Sequence, residues 1–555
     1  MIHRYPKSET AARGRWSCRS ATSSAHRVSG LLGRQFVLFL TIGIAGCALI
    51  GPDFKRPSVP IATKWSAADE ADVNSGFAEY RDWWTVFHDS DLTRLVALAY
   101  RENLSLRATG VRVLEARAQL GMAIGEFYPQ QQVASGSLSY NRIPGSLPYR
   151  LNQNTYWADA FAAQAAWELD FWGKLRRAIE SADDAFLASV ANYDSALVSL
   201  VADVATAYVQ IRTVETQIAI ARDNVERQQK ALKIARAKFQ YGTATKRDVY
   251  QAEDVLGATQ ASIPQLNIQL SESKDTLSLL LGQPPGQSDA LLAGSSGVPA
   301  TQATLAVGVP ADLLRRRPDI RQAELAAAAQ CAQIGFAKAD LLPAFSLTGN
   351  IGTFSTNIAN ASLSNVFSQS TLAFGAGPAV QWNVFNYGQI TNNVRVQDAK
   401  FQEALINYQN AVLNAQKEVE DGISIFVESR RQVVFLKQSV TAATGAYNIA
   451  MIQYRQGIAD FTTVLTAEQN LLQAQNNLVL ASGSVALGLI STYRALGGGW
   501  ELREGRDFVP PQTRREMEDR TNWGTLLTPG LLRPQAPGLP SVEDEQKPLV
   551  RLPEF

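Results

Sequence analysis

The chain has 555 residues, a formal net charge of +1 and 19% charged side chains, a balance that leaves no electrostatic footprint for a nucleic acid. Its histidines are His3, His26 and His88; the first two lie in a leader and the third in a packing segment, DWWTVFHDSDL, so a multi-histidine metal site is not expected. No P-loop or dinucleotide fingerprint occurs, so neither enzyme activity nor a cofactor is expected, and energy for any transport would come from another protein.

Residues 1–46 read as a signal peptide. The apolar run FVLFLTIGIAGC, residues 36–47, follows Arg27 and Arg34 and ends in small residues, which suits an h-region rather than a membrane span. No run long enough for a transmembrane helix is read in the mature chain. Ile44-Ala45-Gly46-Cys47 fits a bacterial lipobox, in which Cys47 becomes the first residue and carries a diacylglycerol thioether and an N-acyl chain. Ala48, rather than an aspartate, follows the cysteine and favours the outer membrane. The n-region before residue 30 is long, and a later start codon would account for it. With Cys18 in the leader and Cys47 acylated, only Cys331 remains, so no intramolecular disulfide can form.

After an N-terminal segment at 47–90, the chain repeats itself. Phe239 matches Tyr454, Gly242 matches Gly457, Ala252-Glu253 matches Ala467-Glu468, and Trp167 matches Trp382, all at one constant spacing. Two copies of so long a unit argue against a solenoid and for two similar halves, 91–300 and 301–500. In the first, 91–127 reads as a helix and 130–142 and 155–170 as strands. The segment 174–240 then holds no proline or glycine and would span about 100 Å as a helix. Within it Tyr193, Leu197, Leu200, Val204, Ala207, Ile211, Val214 and Ile218 recur with a period near 3.5, a coiled-coil seam. Gly242 ends this helix, and another runs from 247 to 281. The second half repeats the plan with strands at 344–356 and 371–384, a helix at 389–455, Gly457, and a helix at 462–495.

The strands alternate apolar and polar residues: Phe345, Leu347, Gly349 and Ile351 against Ser346, Thr348 and Asn350. That suits a membrane β-barrel, with lipid outside and water within. A half-buried soluble sheet shows the same alternation, but four strands between long helical blocks make no ordinary sandwich. Four strands cannot close a barrel, and open edges are not tolerated in lipid, so several chains must pool their strands. Trp382, Tyr387, Trp157 and Trp172 read equally as an interface girdle or as core packing where strands become helices. Residues 501–555 lie outside both repeats and read as a Pro-rich tail that either wraps the tube or stays disordered.

Several motifs stand out together: IAGC followed by GPDFKRP, then FWGKLRR, RRRPDIRQAE at 315–324, GPAVQWNVFNYGQI at 377–390 and TYRALGGGW at 492–500. In this combination the chain resembles the TolC-like outer-membrane efflux proteins, most closely the lipoprotein branch that includes OprM and NodT. The resemblance implies an internally duplicated fold that mixes coiled-coil helices with a transmembrane β-barrel. It implies a homotrimer in the outer membrane, with a 12-strand barrel continued by a 12-helix periplasmic tunnel. It implies two partners: a periplasmic adaptor and an inner-membrane pump, often of the resistance-nodulation-division type. The two matching stretches would be the helix-turn-helix tips that form the aperture and meet the adaptor, with Gly242, Thr243, Gly457 and Ile458 at the docking turns.

The aperture departs from the family pattern. The family's aspartates fall at Thr463 and Thr466, and its gating arginine falls at Gln469. A ring of carboxylates at a narrow site selects cations and holds a constriction, so a typical acidic gate is not expected here. Asp248 or Asp460 would take over, or the gate would close by packing and hydrogen bonds; otherwise these charges are solvated loop residues. The function implied is passive export of small molecules, drugs or other toxic compounds. A pore-free, lipid-anchored coiled-coil scaffold is the alternative from another class, and a type I secretion outlet the alternative within the channel class.

Overall fold

A computed structural model describes residues 49–66, 70, 73–74, 80–144, 154–294, 297–299, 304–308, 310, 316–358 and 362–528. The expected signal peptide, Cys47 and residues 529–555 lie outside the described residues. A short parallel pair, β1 (Val73–Asn74) with β4 (Leu305–Ala306), ties the N-terminal segment to the link between the halves. The first half runs α1 (Ser90–Glu102), α2 (Leu104–Gly125), β2 (Gln131–Arg142), β3 (Thr155–Leu169), α3 (Lys174–Gln240) and α4 (Lys246–Leu280). The second runs α5 (Pro318–Ala339), β5 (Ala344–Thr356), β6 (Leu372–Gln381), α6 (Gln389–Gln456) and α7 (Phe461–Ala495). The duplicated order of helix, two strands, long helix, turn and helix is thus realised, with long helices of 67 and 68 residues.

Three local details differ from the sequence reading. The single helix expected over 91–127 is two helices. Asn103 breaks it by taking an extended backbone (ψ 120°), and its Oδ1 accepts from the Leu106 amide at 2.8 Å to cap α2. The fourth strand ends at Gln381 rather than at 384, where the chain turns to bring Trp382 back onto the preceding loop. The third difference is hydropathy: α3 and α7 each hold a stretch apolar enough to cross a membrane, with mean hydropathy 1.4 and 1.3. Half or more of each stretch is buried against neighbouring helices, so the apolar content serves helix packing.

The seam on α3 is real. Leu197, Val204 and Ile211 are fully buried, Tyr193, Leu200, Ala207 and Ile218 nearly so, and Val214 half-buried. From Tyr193 to Ile211 they form the central core with α1, α2, α6 and α7 residues such as Leu95, Val113, Phe426 and Leu489. The sheet order is β2-β3-β5-β6, antiparallel throughout, so β3 and β5 join the two halves and β2 and β6 are its edges. Across β5 and β6, Phe345 faces Val380, Leu347 faces Pro378 and Ile351 faces Phe374, one apolar row, while Ser346, Thr348 and Asn350 face small residues on the other. Much of the apolar row is uncovered within the chain: Phe374 is 81% exposed and Ile351 51%. Pro378, which cannot donate to a ladder, sits on an edge strand, where it is tolerated.

The sequence motifs prove to be joints. Trp167 donates Nε1–H to the Phe127 carbonyl at 3.1 Å, and its repeat mate Trp382 donates to the Leu341 carbonyl at 3.0 Å. Each clamps the end of a strand to the loop that precedes its half's first strand. Trp172 likewise donates to the Pro343 carbonyl at 2.8 Å, so these tryptophans are hydrogen-bonded joints, whereas Tyr387 is almost wholly exposed. Arg317 of the RRRPDIRQAE stretch reaches the end of α7: Nη1 donates to the Ala495 carbonyl at 2.8 Å, and the guanidinium pairs with Asp319 and Glu418. A cation at a helix C-terminus satisfies orphan carbonyls and opposes the helix dipole. Beyond it, Gly497 and Gly499 adopt positive φ, and a Cβ on Gly498 would come within 2.9 Å of the Trp83 ring. The glycine run therefore lets Trp83 stack on Tyr493 at 5.5 Å. The tail is folded as far as Thr528: α8 (Pro511–Arg520) packs down, Phe508, Val509 and Met517 are buried, and Arg503 forms a buried pair with Asp194 at the α3 seam. Cys331 is buried on α5 with Sγ 3.5 Å from the Pro52 carbonyl.

Candidate functional site: the paired hairpin tips

The ends of α3 and α6 are built alike. At the first tip the Gly242 amide donates to Phe239 O at 3.0 Å and the Thr243 amide to Lys238 O at 2.8 Å. At the second, Gly457 donates to Tyr454 O at 3.1 Å and Ile458 to Gln453 O at 2.9 Å. Both are Schellman closures, which need a left-handed residue; Gly242 has φ 70° and Gly457 φ 78°. Neither glycine has an atom near its missing Cβ, so conformation rather than crowding requires it. The turns leave Tyr241 84% and Ile458 71% exposed, a pair of bare side chains at the hairpin tips.

Beneath the turns lies a small apolar core of its own. Ala231, Leu232 and Ala235 of α3 meet Val249 and Ala252 of α4, Tyr447, Met451 and Tyr454 of α6, and Phe461, Val464 and Leu471 of α7. Tyr454 and Phe461 meet edge to face at 5.3 Å. Lys238 lies over the Tyr454 ring at 4.7 Å and so links the two hairpins. Tyr454 itself is pushed up to about 12 by burial and by the nearby Asp248 carboxylate.

The predicted carboxylates lie at the starts of the return helices, Asp248 within the first turn of α4 and Asp460 at the cap of α7. Asp248 is buried and accepts from the Thr245 hydroxyl at 2.6 Å, on the side of its hairpin that faces Tyr454. Asp460 is the N-cap of α7: its Oδ1 accepts from the Thr463 amide at 3.1 Å and the Thr463 hydroxyl at 2.8 Å. Those bonds hold its carboxyl below the usual carboxylate range. Asp460 and Thr463 are therefore one unit. Thr466 is exposed and bonds back to the Thr462 carbonyl at 2.9 Å, and Gln469 is exposed further along the same helix. The structure does not bring Asp248 and Asp460 onto one constellation.

One tip carboxylate, Glu468, is legible in the sequence as a repeat mate of Glu253 but not as a buried group. Glu468 is 2% exposed, its Oε1 has no hydrogen-bond partner, and burial pushes its carboxyl up to about 7 against the weaker opposing pull of Arg227. Its repeat mate Glu253 lies instead on the surface, paired with Arg236 at 2.6 Å. The legible signal was position: Glu468 falls on the stripe Phe461, Val464, Leu471, where the helical period demands an apolar side chain.

Comparison with known proteins identifies the family. The outer membrane efflux protein family matches residues 95–283 and 309–498, one match for each half. The cation efflux system protein CusC of Escherichia coli O6:H1 is 28% identical over 465 residues, which cover 83% of this chain and 98% of the relative. Nodulation protein T of Rhizobium leguminosarum bv. trifolii is 29% identical, covering 80% of this chain and 92% of its own. The solved structure of the outer-membrane channel OprN superimposes with a TM-score of 0.76 at 32% identity, over 82% of this chain and 100% of that one. The chain belongs to the outer membrane efflux protein family and is an outer-membrane channel of the tripartite efflux type.

Proposed function

We infer that three copies of this chain pool their sheets into one twelve-stranded barrel and that their hairpins close a periplasmic tunnel ending at the tips. The observation that carries this reading is the bare sheet. It has two unpaired edges, β2 and β6, and an uncovered apolar row, an arrangement that lipid does not tolerate unless neighbouring copies close it. Long helices with exposed apolar residues such as Ile406, Phe435 and Ile452 on α6 supply further surface for the same neighbours.

The chain then provides the passive outlet, and a periplasmic adaptor meets Tyr241 and Ile458 at the tip turns. An inner-membrane pump, of the resistance-nodulation-division type, supplies the energy; no catalytic role falls to this chain. Small toxic molecules are the proposed cargo, selected by the pump. Cys47 carries the lipid that anchors each copy to the outer membrane. The pore-free scaffold is the weaker reading, because a scaffold has no use for an alternating sheet.

Native mass spectrometry and planar-bilayer recording of the purified protein test this together. A trimer with small or flickering conductance is expected, and a strain lacking the chain should gain sensitivity to small toxic compounds. A β-rich trimer that conducts nothing would favour the scaffold. Labelled palmitate should enter the wild type and not Cys47→Ala.

A further inference from the structure

The seam between the hairpins above Glu468 is short of donors. Asn224 on α3 gives its Nδ2 hydrogens to the Ile220 carbonyl and to Gln475 Oε1 on α7, and Gln228 gives Nε2–H to Thr259 Oγ1 on α4. Among the described residues Asn224 Oδ1, Gln228 Oε1 and Glu468 Oε1 are buried acceptors without a partner, and the one buried hydroxyl of the tip core without a partner is that of Tyr454. An ionised carboxylate there can only accept, and so leaves the other acceptors unmatched. A protonated one adds an O–H donor where unpartnered acceptors are in excess.

We propose that Glu468 is a proton-operated latch: with its proton bound the hairpins pack tightly at the tip, and loss of that proton loosens them. The charged groups acting on it are few. From α3 comes Arg227, and from α6 comes Tyr447, itself flanked by Arg455; α7 supplies no second charge near it, and among the described residues α4 contributes no charge to its environment. Arg227 favours the ionised form, but desolvation outweighs it. The sign follows from linkage. Glu468 binds its proton more tightly when packed, with a value about 7, than when solvated, at 4.5. The packed tip is thus fully favoured below about 4.5, loses that advantage as pH rises toward 7, and changes no further above it.

The latch itself concerns only the packing of one chain; its link to conduction rests on the proposed reading that the tips close the channel. Amide hydrogen exchange, corrected for intrinsic pH dependence, tests the latch without any current. Between pH 5 and 8, wild-type amides near residues 224–235, 447–454 and 464–475 should lose about a hundredfold in protection, while Glu468→Gln, which cannot ionise, stays flat. Equal pH slopes in the two proteins, or protection that rises with pH, would overturn the latch. Glu468→Met, which removes the charge by another shape, should also be flat; a slope surviving in both variants assigns the effect to another group and refutes the proposal. Bilayer conductance over the same pH range then tests the coupling: a pH-dependent tip with unchanged conductance would keep the latch and refute its role in the gate.

Discussion

Replacing Phe461 by alanine should open the tip without unfolding the molecule. Phe461 is 1% exposed and belongs to the small core beneath the turns, where its ring meets Tyr454 at 5.3 Å. Truncating a buried phenylalanine costs about 3–5 kcal/mol, part transfer and part residual cavity. The tip core shares no residue with the central core built around Leu197, Tyr208 and Phe426. The cost should therefore appear as local opening. Amides of 447–471 should exchange about two to three decades faster, since 1.4 kcal/mol is a factor of ten, and amides near Tyr208 and Phe426 should hold their protection. Conductance in bilayers should rise in parallel. If protection fell equally in the central helices, the separation of the two cores would be wrong. Loosened tips with unaltered conductance would instead show that packing under the turns does not hold the gate.

Three further outcomes are expected. Asp460→Ala removes the cap of α7 and should raise exchange at Thr463 and its neighbours, whereas Asp248→Ala should act mainly on the first hairpin. Because hydrogen bonds from Thr463 hold the Asp460 carboxyl low, its capping contribution is present above the ordinary carboxylate range and fades as pH falls through it, so the wild-type α7 start should fray below about pH 4. Arg317→Met leaves the Ala495 carbonyl without its donor and Glu418 and Asp319 without their partner; a loss of about 2–4 kcal/mol is expected, read as a lower thermal midpoint. Trp167→Phe and Trp382→Phe each delete one indole hydrogen bond at equivalent joints, so similar losses of about 1 kcal/mol should follow, and sharply unequal ones would contradict the equivalence.

Much of this architecture is written locally. The period of 3.5 on α3, the alternation on β5 and the tip glycines all depend on side chains a few residues apart, and each is found where its pattern lies. The repeat was legible for the same reason, and it extends to bonds: Trp167 to Phe127 and Trp382 to Leu341 are one joint made twice. Even the break at Asn103 could be read afterwards as a cap, although helical periodicity runs straight through it.

The fates of the acidic residues were not written locally. In the sequence Asp248 and Asp460 read as gate carboxylates or as solvated loop charges; folded, one turns inward toward Tyr454 of the other hairpin and the other is occupied by its own helix. Glu253 and Glu468 hold the same place in the repeat, yet one sits in water beside Arg236 and the other in a seam without a partner. By composition the tail reads equally as wrapping the tube or as disordered; up to Thr528 it is folded, and Asp194, 309 residues away in sequence, gives Arg503 a buried partner. The sequence alone determines helices, strands, turns and the doubling, because those follow from contacts between near neighbours. Which carboxylate is buried, and so which can respond to a proton, depends on helices hundreds of residues apart lying side by side, and only the packed chain brings them there.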